Sequence, residues 1–149
     1  MPSADRRAEA DWEGPLLQGN GEVTLVSSGA GAFPVTWASR VETSDGRTSP
    51  EELVAAAHAS CYAMAFSATL GRNEAPPERL HVEAVVSLGD REGGGIKVTT
   101  SALTVRGTVP ALNGDQARFQ ELAEMGEQGC PISNALRGNI EITVTATLE

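Results

Sequence analysis

Between Glu52 and Arg72 the chain carries no formally charged side chain, with His58 taken as neutral, although charged residues make up 21% of the whole sequence. The run opens on Ser49-Pro50-Glu51-Glu52. Ser49 suits the N-cap, Pro50 the first helical position, and the two glutamates the positive end of the helix dipole. Glu52, three residues after Ser49, predicts a capping box. The helix should run to about Gly71. Its length and lack of charge raise the question of a membrane span. Its composition is mostly Ala and Ser, with a His and a Cys, so its insertion energy is poor and no membrane partner is expected. The other reading is a helix buried on nearly every side. Leu53, Ala57, Cys61, Met64 and Ala68 form one stripe and place Cys61 in the most buried helix. One small domain has trouble surrounding such a helix, so a homodimer is expected.

The rest of the 149 residues reads as one domain over residues 1–149, without internal repeats or a dividing linker. Aromatics are only 4%, so the core must rest on Ala, Val, Leu and Ile. Ala8, Ala10 and Trp12 alternate with polar residues, Gly19-Asn20-Gly21 turns, and Val23 and Leu25 begin a second strand. Val35, Trp37 and Val41 alternate on a third strand, with Arg40 on its other face, before a turn at Asp45-Gly46. After Pro76-Pro77, Val82, Ala84, Val86 and Leu88 alternate, and Gly93-Gly94-Gly95 turns into a long partner. There Ile96 and Val98 share one phase and Leu103, Val105 and Val109 the other, which predicts a bulge near Thr100 to Ala102. Asp115 to Gln128 reads as a helix with Phe119, Leu122, Ala123 and Met125 as inward candidates, stopped by Gly129. Cys130-Pro131 reads as N-cap and first position of a short helix ending near Gly138. Ile140, Ile142, Val144, Ala146 and Leu148 finish as a strand. The order is that of an α+β domain with antiparallel pairing.

Eleven basic residues against twenty acidic ones give a formal charge of −9, the wrong sign for nucleic acid or an anionic membrane surface. Asp5, Arg6, Arg7, Glu9 and Asp11 interrupt any apolar leader among the first residues, so a cytoplasmic location is expected. The sequence has no GxxxxGK[ST], GxGxxG after a strand, GxSxG or HExxH. No third ligand accompanies His58 and Cys61, so neither a metal nor another cofactor is expected. His81, at a strand start, reads as a surface residue.

The two cysteines, Cys61 and Cys130, are too far apart in sequence for a CxxC motif and too few for a four-ligand zinc site. Two readings stay open: buried, inert thiols, or one reactive pair. A peroxide-reducing cysteine must be a thiolate and needs a second thiol to resolve its sulfenic acid. Mid-helix, Cys61 gains nothing from the helix dipole, so a guanidinium must lower its pKa, and Arg40 is a plausible supplier. A Ser60-His58 hydrolase is remote, because residues two apart on a helix point in different directions.

Ser49-Pro50-Glu51-Glu52-Leu53, the run Ala55-Ala56-Ala57-His58-Ala59-Ser60-Cys61, and Gly129-Cys130-Pro131-Ile132-Ser133 resemble the OsmC/Ohr family of cysteine-based organic hydroperoxide reductases. The resemblance spans nearly the whole chain, and Ala57-His58 looks like the OsmC branch. It implies antiparallel β-sheets wrapped around a long buried central helix plus a second helix, in an intertwined dimer. It also implies a catalytic set: Cys61 as peroxidatic nucleophile, Cys130 as resolving thiol, Arg40 as the arginine that stabilises the thiolate, and Glu51 as its carboxylate partner. Arg47 is the rival for Arg40. About 15 Å of helix rise separates Glu51 from Cys61, so Glu51 would act through a long arginine or on the other subunit's thiol. The implied substrate is an organic hydroperoxide, with Ala57, Met64 and Phe66 as apolar pocket neighbours. The implied reductant is a dithiol, of lipoyl type more than thioredoxin. His58, three residues before Cys61, suits a packing or hydrogen-bonding role. A redox sensor gated by the same disulfide, or a structural stress protein with inert thiols, are the alternatives.

Overall fold

The computed structural model describes residues 3–149, and the chain divides into two units, one up to Leu53 and the other from Val54 to Glu149. The first holds an antiparallel sheet of β1 (Glu9–Glu13), β2 (Asn20–Thr24) and β3 (Ala32–Val35), in that order. Gly21 is the register partner of Trp12, and a Cβ there would lie 2.7 Å from the indole. Only glycine lets the ring lie across the hairpin at this point.

The third strand is shorter than the alternation predicts. Trp37–Val41 is a short helix, α1, so Arg40 projects from a helical turn and not from a strand. The cause is local. The Thr36 hydroxyl accepts from the Ser39 amide, and the Ser39 hydroxyl accepts from the Thr36 amide, both at 3.0 Å. This reciprocal cap turns the backbone before the apolar alternation can extend it. The Ser39 hydroxyl also lies 2.9 Å from the Thr48 carbonyl, and Val35 bridges Thr48. α1 is thereby tied to the residues that precede the long helix. Asp45 and Gly46 turn with φ of 48° and 77°.

The uncharged run is α2, Pro50–Arg72. Ser49 caps it, its hydroxyl accepting from the Glu52 amide at 3.1 Å. The return arm of the expected box is replaced, because the Glu52 carboxylate accepts instead from the Thr48 hydroxyl at 2.6 Å. The buried stripe is His58, Tyr62, Phe66, Thr69 and Leu70. The expected stripe is thus displaced by one residue, a rotation of about 100°. Ala57 and Ala68 are exposed, Met64 is 69% exposed, and Cys61 lies half-buried beside the core. The bulky side chains set the inward face, and the small ones are left outside it. In a single chain the helix is therefore buried on one side only. It is long and apolar enough to cross a membrane by length and composition, yet its heaviest residues are core residues.

The second unit holds β4 (Arg79–Asp90), β5 (Ile96–Thr108) and β6 (Glu141–Leu148), in that order. β4 and β5 form an antiparallel hairpin in which Ser87 pairs with Thr100 and Leu88 with Val98. Thr99 is the extra residue, one position before the predicted bulge, and it reconciles the two phases of β5. β6 pairs with β5 in parallel, from Thr100 opposite Glu141 to Gly107 opposite Leu148. This corrects the expectation of antiparallel pairing throughout. Two helices, α3 (Gln116–Gln128) and α4 (Pro131–Leu136), carry the chain back to the end of the sheet where β5 began, as a parallel neighbour requires.

Asp115 caps α3, accepting from the Arg118 amide at 3.0 Å. Phe119, Leu122 and Ala123 face inward as predicted, but Met125 is exposed and Gly126 takes the inward position. A Cβ at Gly126 would sit 3.0 Å from the Phe66 backbone, and one at Gly107 of β5 would sit 2.7 Å from the Phe119 ring. Glycine at both places lets α3 pack closely on α2 and on the sheet. Phe66 lies between Tyr62 and Phe119, with ring centroids 5.7 and 5.2 Å away, and the Tyr62 hydroxyl donates to the Ala123 carbonyl at 2.9 Å. Along the outer edge of β6, the side chain of Gln116 bonds the Ala146 carbonyl and the Leu148 amide, at 2.8 and 2.7 Å. Gln120 does the same for the Val144 carbonyl and the Ala146 amide, at 3.0 and 2.8 Å.

Candidate functional site

Cys61 and Cys130 meet in the second unit. α2 brings Cys61 to the edge of the core, and α4 brings Cys130 as its fully buried N-cap. Pro131 presets the first helical φ, and the Ser133 amide donates to Cys130 Sγ at 3.5 Å. Both thiols are free. Burial pushes the Cys61 thiol above its ordinary pKa. The Ile132 amide opposes that rise, and the neighbouring Cys130 thiol adds to it through a hydrogen bond and its charge. None of these groups supplies the positive charge that a thiolate at Cys61 would need.

His58, one turn before Cys61, is fully buried. Its Nδ1 lies 2.7 Å from Ser101 Oγ on β5, and its Nε2 lies 2.7 Å from Ser133 Oγ on α4. Burial lowers its pKa, against the opposing charge of Glu127. A neutral imidazole donates at one nitrogen and accepts at the other, so two hydroxyls complete its bonding. Sequence reasoning missed both serines, because their only signal is to stand on an inward strand position and at the third position of α4.

In the first unit, Arg40 is held by Glu51. Its Nε donates to both carboxylate oxygens, at 3.1 and 3.2 Å, and its Nη2 donates to Oε1 at 2.9 Å. Glu51 is only 7% exposed. Arg47 reaches the Asp45 carbonyl and carboxylate instead, at 3.3 and 3.4 Å. The arginine paired with Glu51 is Arg40. Its guanidinium carbon lies 5.9 Å from the Trp37 ring centre, at the wall of an apolar cleft of roughly 340 Å³ lined by Trp12, Leu16, Val35, Trp37 and Pro50. Sequence reasoning missed this cleft. The aromatic residues around a candidate guanidinium were the signal, hidden by reading Trp37 as part of a strand.

Ala57, Met64 and Phe66 do not form one pocket. Phe66 is buried between two aromatic rings, and Met64 opens on a surface depression with Ala63, Ser67 and Pro77. Residues 64 and 66 are two apart on a helix and so face about 200° from each other. Among the described residues, no three His, Cys, Asp or Glu side chains cluster as metal ligands would.

The profile of the OsmC-like protein family matches residues 43–145, a stretch that contains Glu51, Cys61 and Cys130. The chain belongs to the OsmC-like family. Relatives of this OsmC-like chain include Peroxiredoxin OsmC of Escherichia coli, 34% identical over 137 residues, covering 92% of this chain and 93% of the relative. The Organic hydroperoxide resistance protein of Xanthomonas axonopodis pv. citri is 37% identical over 100 residues, covering 66% of each. Among solved structures, the organic hydroperoxide resistance protein OhrB of Bacillus subtilis superposes with a TM-score of 0.75 at 25% identity, covering 95% of this chain and 98% of that one. The mixed α+β fold is therefore that of the OsmC and Ohr proteins.

Proposed function

We propose that this OsmC-like chain is a thiol peroxidase for organic hydroperoxides. The observation that carries the reading is the meeting of two free thiols, Cys61 and Cys130, on separate elements of one unit. The names of the relatives support the substrate class. The Cys61 thiolate attacks the distal oxygen of the hydroperoxide, the O–O bond breaks, and the alkoxide leaves as the alcohol after taking a proton. Cys61 is left as a sulfenic acid. Cys130 then displaces its oxygen as water, which forms the Cys61–Cys130 disulfide, and a dithiol donor, of lipoyl type, reduces it. Arg40, held by Glu51, takes the part of the thiolate's counter-cation. The exposed face of α2 at Ala56, Ala57 and Met64 supports the homodimer, and two free thiols suit a reducing cytoplasm.

The raised pKa of Cys61, taken alone, favours the second reading, a structural protein with inert thiols. One experiment separates them: consumption of cumene hydroperoxide by the purified protein with excess dithiothreitol, for wild type and Cys61→Ser. Rapid consumption abolished by the substitution supports the peroxidase. No consumption, with Cys61 unreactive in the folded protein, leaves the structural reading. Light scattering of the same samples reads the mass of the assembly, and a monomer at all concentrations would reject the homodimer.

A further inference from the structure

We infer that His58 is a positioning residue for the resolving step: bridged to Ser101 and Ser133, it holds the first turn of α4 so that Cys130 stays seated beside Cys61. The inference rests on the peroxidase reading and concerns a residue that the peroxide chemistry itself does not use. Four observations carry it. His58, Ser101, Ser133 and Cys130 are all fully buried. The two imidazole bonds are both 2.7 Å and reach two different elements, β5 and α4. Ser133 carries the amide that donates to Cys130 Sγ. And α4 is only six residues long, too short to hold its own place by helix formation.

A second tether holds the other end of α4, where Arg137 pairs with Glu127 of α3. Arg137 is partly exposed, with a side-chain exposure of 39%, so this tether meets water and the histidine bridge does not. The His58 bridge is therefore the interior anchor on the side of α4 that bears the thiol. In the step it serves, Cys130 Sγ attacks Cys61 Sγ and the sulfenic S–O bond breaks. Hydroxide leaves and takes the thiol proton as water. Cys61 is reduced and Cys130 oxidised by one unit each, to the disulfide. The step is an attack between two positioned atoms, and small misplacements slow such attacks strongly.

The test separates oxidation of Cys61 from its resolution. Reduced protein is mixed with cumene hydroperoxide and quenched, and the sulfenic acid and the disulfide are followed by mass spectrometry. Ser133→Ala should leave the second-order oxidation of Cys61 within about twofold of wild type and slow disulfide formation about tenfold, the worth of one lost hydrogen bond. Its sulfenic acid should then proceed to sulfinic acid at lower peroxide excess. Ser133→Thr, which keeps the hydroxyl, should restore the wild-type rate. Should Ser133→Ala fail to fold, Ser101→Ala at the far end of the bridge carries the same expectation. Disulfide formation at the wild-type rate overturns the inference. So does an equal slowing of both steps, because a general loosening of the fold would affect oxidation too. If the wild type reduces no hydroperoxide, the peroxidase reading fails on its own. Disulfide formation driven by diamide then decides the inference, with the same rank among variants expected and equal rates overturning it.

Discussion

The pair of Arg40 and Glu51 lends itself to a double-mutant cycle whose result can be set in advance. Two unit charges about 4 Å apart attract by about 4 kcal/mol at an effective dielectric near 20. The Arg40 side chain is 32% exposed and that of Glu51 only 9%, so screening acts on one partner and desolvation on the other. Fully exposed pairs contribute about 0.2–1 kcal/mol, whereas breaking a buried pair costs about 3–5 kcal/mol. The coupling between Arg40→Met and Glu51→Gln should fall between, at about 1.5 kcal/mol. The single substitutions should be unequal. Arg40→Met leaves an unpaired carboxylate in a nearly closed site and should cost about 2 kcal/mol, whereas Glu51→Gln leaves an arginine that can turn to water and should cost about 1 kcal/mol. Urea denaturation followed by circular dichroism reads all four corners. A parallel cycle between Arg47→Met and Glu51→Gln should show coupling below about 0.5 kcal/mol. Coupling below that figure for Arg40 and Glu51, or an Arg40→Met variant milder than Glu51→Gln, would refute the reasoning.

Other expectations follow from burial. Phe66→Ala, at a site with no solvent exposure, should cost about 3–5 kcal/mol in denaturant titration; a cost near 1 kcal/mol would mean that the inward face of α2 is elsewhere. Burial raises the Cys61 pKa and Arg40 is the proposed counter-cation, so hydroperoxide consumption by Arg40→Met should need a higher pH than that of wild type, still climbing past the ordinary cysteine pKa of about 8.5; identical profiles would show that Arg40 does not act on the thiolate. His58 has a lowered pKa in the fold, so the unfolded chain binds a proton more readily as pH falls. Stability should therefore be full above the ordinary histidine pKa of about 6.5 and decline as pH drops below it. In His58→Gln that part of the decline should vanish, and an unchanged acid limb in pH-dependent melting would place its cause in other groups.

Most of the α+β order was legible because its signals are local. Ser49 and Pro50 start α2, Asp115 starts α3, and Cys130-Pro131 starts α4, each by cap chemistry confined to a few residues. The two phases within β5 announced its bulge to within one residue. What escaped depends on partners distant in sequence or on competition between signals. Along α2 the stripes through Met64 and through Phe66 have nearly the same period, and only the packing of Phe119 and Gly126 selects the second. The parallel seat of β6 follows from where α3 and α4 deliver the chain, which no period of two can reveal. At Thr36 a cap competed with an apolar alternation, and the cap won. In the site, Cys61, Cys130, Arg40 and Glu51 could be named from motifs, whereas Ser101, Ser133 and the cleft beside Arg40 arise only from folding.

The two glutamines on α3 also bear on how the molecule avoids its own kind. β6 is an edge strand, and a bare edge presents a row of amides and carbonyls that invites any passing strand to add itself. Gln116 and Gln120, one helical turn apart, answer those groups two at a time, as a neighbouring strand would, but from side chains that cannot propagate the ladder. Growth of the sheet by strand addition is thereby blocked along β6 between Val144 and Leu148. At that border the protection comes from two uncharged side-chain amides, in addition to the general repulsion between copies that a net charge of −9 provides.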